Sequence, residues 1–89
     1  MKILYEKSFL KDIKKIRDQR VSDTLVKVIE EIKKSVDLSG IGDIKKLKGH
    51  SSAFRIKIGD YRLGFFYEND HIILVRFLNR KDIYKYFPN

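Results

Sequence analysis

The chain has no cysteine and no tryptophan, one proline, one methionine and two histidines in 89 residues. Without cysteine there is no disulfide framework and no thiolate metal site. His50 lies in a Gly-His-Ser-Ser stretch and His71 beside a turn. Neither has a carboxylate or second histidine at metal-ligand spacing, so no metal is expected. No phosphate-cradling glycine loop and no nucleophile elbow occurs, and no cofactor is expected. No apolar run reaches the length of a membrane span or a secretory signal. A cytoplasmic protein with no membrane partner is the expectation. The length suits one domain over residues 1–89 with a modest core. Any catalysis must fall to Lys, Arg and Tyr.

What the chain has is positive charge, unevenly spread. Its net charge is +8. Before Ile44 there are ten basic and eight acidic residues; from Ile44 onward there are ten basic and four acidic, a surplus of six. Such a field favours nucleic acid or an acidic protein partner. The surplus lies mostly on predicted strands, which argues against a basic membrane-surface helix.

Residues 53–67 carry the most informative pattern. Phe54, Ile56 and Ile58 alternate with Arg55 and Lys57, the period of a half-buried strand. Gly59-Asp60 suits a two-residue hairpin turn with φ > 0 at the glycine. Tyr61 to Tyr67 is then the return strand, with Ile58 facing Tyr61, Lys57 facing Arg62, Ile56 facing Leu63 and Arg55 facing Gly64. One face is apolar. The other holds Arg55, Lys57 and Arg62 with no acid among them. Like charges across an antiparallel pair are destabilising; a polyanionic ligand explains their placement, and so does a solvated strand face that resists aggregation. Gly64 leaves room there for a ligand backbone to approach.

Lys2 to Tyr5 reads as a first strand. Ser8 is placed to cap a helix carrying Phe9, Leu10, Ile13 and Ile16, ending near Arg17. Ser22-Asp23 are placed to cap a longer helix with Leu25, Val28, Ile29, Ile32 and Val36 on one side. The outward Lys14, Lys15, Lys33 and Lys34 read as solvated surface. Residues 38–42 form a loop. Lys46 and Lys48 follow in a short basic stretch, either extending the positive surface or lying in a connecting turn. Glu68-Asn69-Asp70 is a turn, and His71 to Leu78, the most apolar strand, is expected to be central. The order strand, helix, helix, three strands and a short tail gives an α+β fold: a helical hairpin packed on a small, mainly antiparallel sheet.

Cations alone can serve a phosphodiester substrate. They stabilise charge developing at phosphorus, a lysine among other cations gives up its proton more readily, and RNA brings its own nucleophile, the 2′-OH. Three segments carry a family resemblance. They are Ile44-x-Lys46-Leu47-x-Gly49, Phe54-Arg55-Ile56-Lys57-Ile58-Gly59-Asp60-Tyr61-Arg62-Leu63-Gly64, and Leu78-Asn79-Arg80-Lys81-Asp82-Ile83-Tyr84-x-Tyr86-Phe87-Pro88. Together they resemble the RelE/ParE superfamily of toxins from toxin–antitoxin modules, nearest to the short RelE-like members.

The resemblance implies a ribosome-dependent endoribonuclease that cleaves mRNA and is held in a hetero-oligomer by a cognate acidic antitoxin. It implies a phosphate-contacting role for Arg62 beside Arg55 and Lys57. A proton donor is implied in the pair Arg80 and Lys81, and a base-stacking aromatic among Tyr84, Tyr86 and Phe87, where packing of the tail on the sheet is the other reading. Asn79 stands where many relatives have histidine, and it cannot titrate. Two other readings remain: a ParE-like toxin that poisons DNA gyrase by protein contact, and a catalytically weak toxin acting only through antitoxin binding.

Overall fold

A computed structural model describes residues 1–88 of the chain. The elements are β1 (Lys2–Tyr5), α1 (Lys7–Lys14), α2 (Gln19–Lys34), β2 (Ile44–Lys46), β3 (Ala53–Ile58), β4 (Tyr61–Glu68), β5 (His71–Asn79) and α3 (Ile83–Tyr86). The strands form one sheet in the order β1-β5-β4-β3-β2. Among the described residues only the β1–β5 pairing is parallel, as a crossover through two helices requires. The α+β reading therefore holds. β2 is a strand where the sequence reads only as a short basic stretch, and β5 lies inside the sheet between β1 and β4, as expected.

The hairpin register is the expected one. Ile58 pairs with Tyr61, Lys57 with Arg62, Ile56 with Leu63 and Arg55 with Gly64. Gly59 takes φ 58°, which glycine adopts without steric cost. The second turn has positive φ at both Asn69 and Asp70, the residue types that best tolerate it in a two-residue hairpin.

Helix boundaries differ from the sequence expectation for local reasons. The α1 N-cap position is Glu6, and Ser8 sits inside the first turn. There its hydroxyl donates to the Val75 carbonyl at 2.6 Å. α2 starts earlier than Ser22, because the Asp18 carboxylate accepts from the Arg20 backbone N–H and caps it. α1 stops at Lys14 and α2 at Lys34. Val36 therefore lies beyond the helix and is 88% exposed, and Leu10 points outward.

The helices cover one sheet face. Phe9, Leu25 and Ile32 pack there against Ile56, Leu63 and Phe65. The opposite face has a second, smaller core built by the tail: Ala53, Ile83 and Phe87 are buried with Leu47, Phe66, Val75 and Leu78 around them. Gly64 makes this possible. A Cβ built on it would meet the Phe87 ring at 2.7 Å. The space at Gly64 is thus filled by the chain's own tail, a correction to the view that it admits a ligand backbone.

β5 carries an irregularity that decides which way its residues face. Gly64 pairs with Arg76 but Phe65 pairs with Leu74, so Val75 is an extra residue, a β-bulge. Ile72, Leu74 and Phe77 all reach the helix-side core although their spacing breaks strict alternation.

Gly64→Val is expected to destabilise the fold by about 1–3 kcal/mol through overpacking against Phe87. Urea denaturation followed by circular dichroism reads this. Limited proteolysis should at the same time show easier cutting in the tail beyond Lys81.

Candidate functional site

Strand register assembles the site. Lys45, Arg55, Gly64 and Arg76 lie in one row across β2, β3, β4 and β5, and Lys57, Arg62 and Leu78 in the next. Residues directly opposed in a sheet share a face. Lys45, Arg55, Lys57 and Arg62 therefore share the face away from α1 and α2.

Backbone carbonyls, not carboxylates, hold the guanidinium groups. Arg55 Nη1 donates to the Asp43 carbonyl at 3.0 Å, and the Arg55 Nε is buried with no hydrogen-bond partner. Arg62 Nη1 donates to the Gly59 and Tyr61 carbonyls at 2.9 and 3.0 Å. Such bonds orient the groups without cancelling their charge. Ion pairs among the described residues are Arg20–Asp18, Arg76–Asp12 and Lys85–Asp82. The four cations of the open face take part in none of them, so their field reaches whatever binds there.

The turn after β5 sits beside the hairpin turn. The Arg80 backbone N–H donates to the Asp60 carbonyl at 2.8 Å, and Asp82 N–H donates to the Asn79 carbonyl at 2.8 Å. The Asn79 side chain accepts from Lys81 N–H at 3.0 Å, so it shapes the turn. The exposed Arg80 and Lys81 are thereby attached to the end of the sheet where Lys57 and Arg62 face each other. Beyond them, Tyr84 and Tyr86 are half exposed, at 56% and 53%.

Three expectations change. Lys46 pairs with Phe54 and so lies on the helix side of the edge strand, whereas Lys45 aligns with Arg55; the cation contributed by β2 to the open face is Lys45. Lys48 is exposed in the loop after β2, at the far end of the hairpin from the Gly59-Asp60 turn. Phe87 is 1% exposed, and its ring packs at 5.2 Å from that of Phe66. It is a core residue of the tail, with no face free to stack a base.

The sequence reading missed Asp12 and Arg76. Asp12 is a 3% exposed carboxylate on α1. It accepts Arg76 Nε at 2.8 Å, Arg76 Nη2 at 3.0 Å and the Phe77 backbone N–H at 2.9 Å. The Asp12 hydrogen bond holds the Arg76 guanidinium above its usual range, against the opposing pull of burial. The Arg76 guanidinium carbon stands 5.3 Å from the centre of the Tyr86 ring, a cation–π contact. The signals were an acid four residues after Ser8 and an arginine inside an apolar strand.

A sequence profile of the ParE toxin family of type II toxin–antitoxin systems (parDE) matches residues 3–84. The chain belongs to this family. It is 42% identical to Toxin RelE3 of Methanocaldococcus jannaschii over 89 residues, covering 99% of this chain and all of that protein. The toxin superposes on a crystal structure of a RelB–RelE antitoxin–toxin complex from Methanococcus jannaschii with a TM-score of 0.82 at 40% identity, covering 96% of this chain and 99% of the other. The YoeB dimer from Staphylococcus aureus has the same fold, with a TM-score of 0.73 at 20% identity over 90% of this chain and 97% of the other. The chain is thus a RelE-like toxin of a toxin–antitoxin system. No helix among the described residues is long and apolar enough to cross a membrane.

Asp12→Ala should cost this toxin about 2–4 kcal/mol, since it strands a half-buried guanidinium and a buried N–H. The double variant Asp12→Leu, Arg76→Met should recover part of that loss by removing both charges. Thermal and urea unfolding of the two proteins check the order.

Proposed function

We propose that the toxin is an endoribonuclease that cuts mRNA on the ribosome by attack of the RNA's own 2′-OH, and that an acidic antitoxin holds it inactive. The observation that carries this reading is the uncancelled set Lys45, Arg55, Lys57 and Arg62 on one open sheet face, with the tail tyrosines beside it.

The chemistry needs few groups. The 2′-oxygen bonds to the adjacent phosphorus and the 5′-oxygen leaves, giving a 2′,3′-cyclic phosphate and a 5′-hydroxyl end. Lys57 in its neutral form takes the 2′-OH proton. Arg62 and Arg55 meet the negative charge that builds on the phosphoryl oxygens. Arg80 or Lys81, attached to the same end of the sheet through the Asp60 carbonyl, supplies the proton for the leaving oxygen. An exposed tyrosine stacks a neighbouring base. Asn79 cannot titrate, which leaves an acid–base set of weak members. Holding the 2′-OH in line with the phosphorus is worth several kcal/mol, and the ribosome supplies that alignment.

The same face suits an antitoxin. A relative of 40% identity was crystallised with one, and an acidic segment laid over Lys45, Arg55, Lys57 and Arg62 would neutralise the field and exclude RNA together. The assembly would be a toxin–antitoxin hetero-oligomer.

Arg62→Ala should abolish toxicity while leaving the fold intact, because the loss of two hydrogen bonds to turn carbonyls is offset in part by relief of the repulsion from Lys57 across the strand pair. Lys57→Ala, Arg55→Ala and Lys45→Ala should each lower cleavage by roughly ten- to a thousandfold, whereas Lys46→Ala should leave it near the parent level. Primer extension on a defined mRNA, with and without programmed ribosomes, reads these effects. Cutting should depend on the ribosome, and full toxicity in an Arg62→Ala, Lys57→Ala double variant would sink the ribonuclease reading. Pulse expression with separate measurement of protein and DNA synthesis tests the gyrase reading: early loss of translation is expected, and early loss of DNA synthesis would replace it.

Antitoxin affinity should fall with rising salt and with Arg62→Ala. A complex indifferent to both would show that the cover is not electrostatic.

A further inference from the structure

The tail offers two exposed tyrosines, and only one of them has a built support. Tyr86 lies under the Arg76 guanidinium at 5.3 Å. That guanidinium is itself fixed in plane by two bonds to Asp12, at 2.8 and 3.0 Å. Asp12 is fixed in turn by its third bond, from the Phe77 backbone N–H, and by burial between α1 and β5. Tyr84, of similar exposure, has no ring or cation contact of this kind among the described residues.

We infer that Asp12 and Arg76 are positioning residues that hold the Tyr86 ring as the platform on which a substrate base stacks. This rests on the endoribonuclease reading. The bulge at Val75 supports it, because an extra residue re-aims the side chain that follows: Arg76 stays opposite Gly64 yet reaches the carboxylate on α1. A planar, delocalised cation bound edge-on by a carboxylate presents its flat face to an aromatic ring. Tyr86 is 53% exposed although Arg76 stands over its ring, so surface remains for a base to reach. A flexible tyrosine would spend rotamer freedom on stacking, and one already oriented spends less.

The test uses programmed ribosomes carrying an mRNA with 2-aminopurine beside the scissile bond and a 2′-O-methyl group that blocks cleavage. Stacking quenches the fluorophore. The parent toxin and Tyr84→Ala should quench it equally, Tyr86→Phe should keep the quench, and Tyr86→Ala should lose it. Arg76→Gln and Arg76→Lys should both weaken the quench at saturating toxin. In parallel, on cleavable mRNA, they should lower kcat/KM by roughly ten- to a hundredfold through misplacement of the ring. Because an unpaired Asp12 can harm folding, the double variant Asp12→Asn, Arg76→Gln is measured too; it removes both charges, should remain folded by circular dichroism, and should still show the weakened quench. Equal quenching by Arg76→Gln and the parent, or loss of quenching in Tyr84→Ala, would overturn the platform while leaving ribosomal cleavage standing. Absence of both cleavage and quenching in the parent would overturn the platform together with the endoribonuclease reading on which it rests.

Discussion

The buried carboxylate of Asp12 ties the two sides of this molecule together. β1 ends at Tyr5, opposite Leu74, and leaves the second half of β5 with an open edge. α1 closes that edge with side chains one helical turn apart: Ser8 gives its hydroxyl to the Val75 carbonyl and Asp12 takes the Phe77 N–H. An unpaired backbone group there would cost about as much as a lost hydrogen bond. The same carboxylate then reaches Arg76, and through it Tyr86 on the opposite face. A helix on the covered side of the sheet thereby positions the tail on the open side.

The open face is a balance between packing and charge. Its end near Ala53 is capped by Ile83 and Phe87, so the tail is held by apolar burial. Its other end keeps Lys57 opposite Arg62, an arrangement that a sheet selected for stability alone would avoid. Lys57 is exposed to screening solvent, and the half-buried Arg62 guanidinium is held by the Gly59 and Tyr61 carbonyls, so their repulsion is small. The cost is bearable because the core beneath them, Ile56, Leu63 and Phe65, is fully buried.

The hairpin was readable from sequence because its signals are local: alternation, a Gly-Asp turn and a register that follows from turn length. Both helices were readable for the same reason, though their ends were not. Ser8 looks like a cap in any local window; only the nearby β5 edge, more than sixty residues on, claims its hydroxyl. Asp12 and Arg76 escaped notice because their pairing spans 64 residues. Lys45 was missed in favour of Lys46 because the face of an edge strand depends on its register with β3, and a three-residue strand has too few side chains to display a period. Phe87 was ambiguous until the missing side chain at Gly64 met its ring.

The extra residue at Val75 divides β5 into two half-strands whose side-chain alternation is out of phase. Ile72 and Leu74 belong to one phase and Phe77 to the other, and both feed the same helix-covered core. Loss of one residue at that point would therefore remove the bulge and bring Ile72, Leu74 and Phe77 into ordinary alternation, all three still facing the helices. What it would forfeit is the local twist that re-aims Arg76 toward Asp12. The extra residue is thus dispensable to the core and is kept for the direction it gives to one arginine.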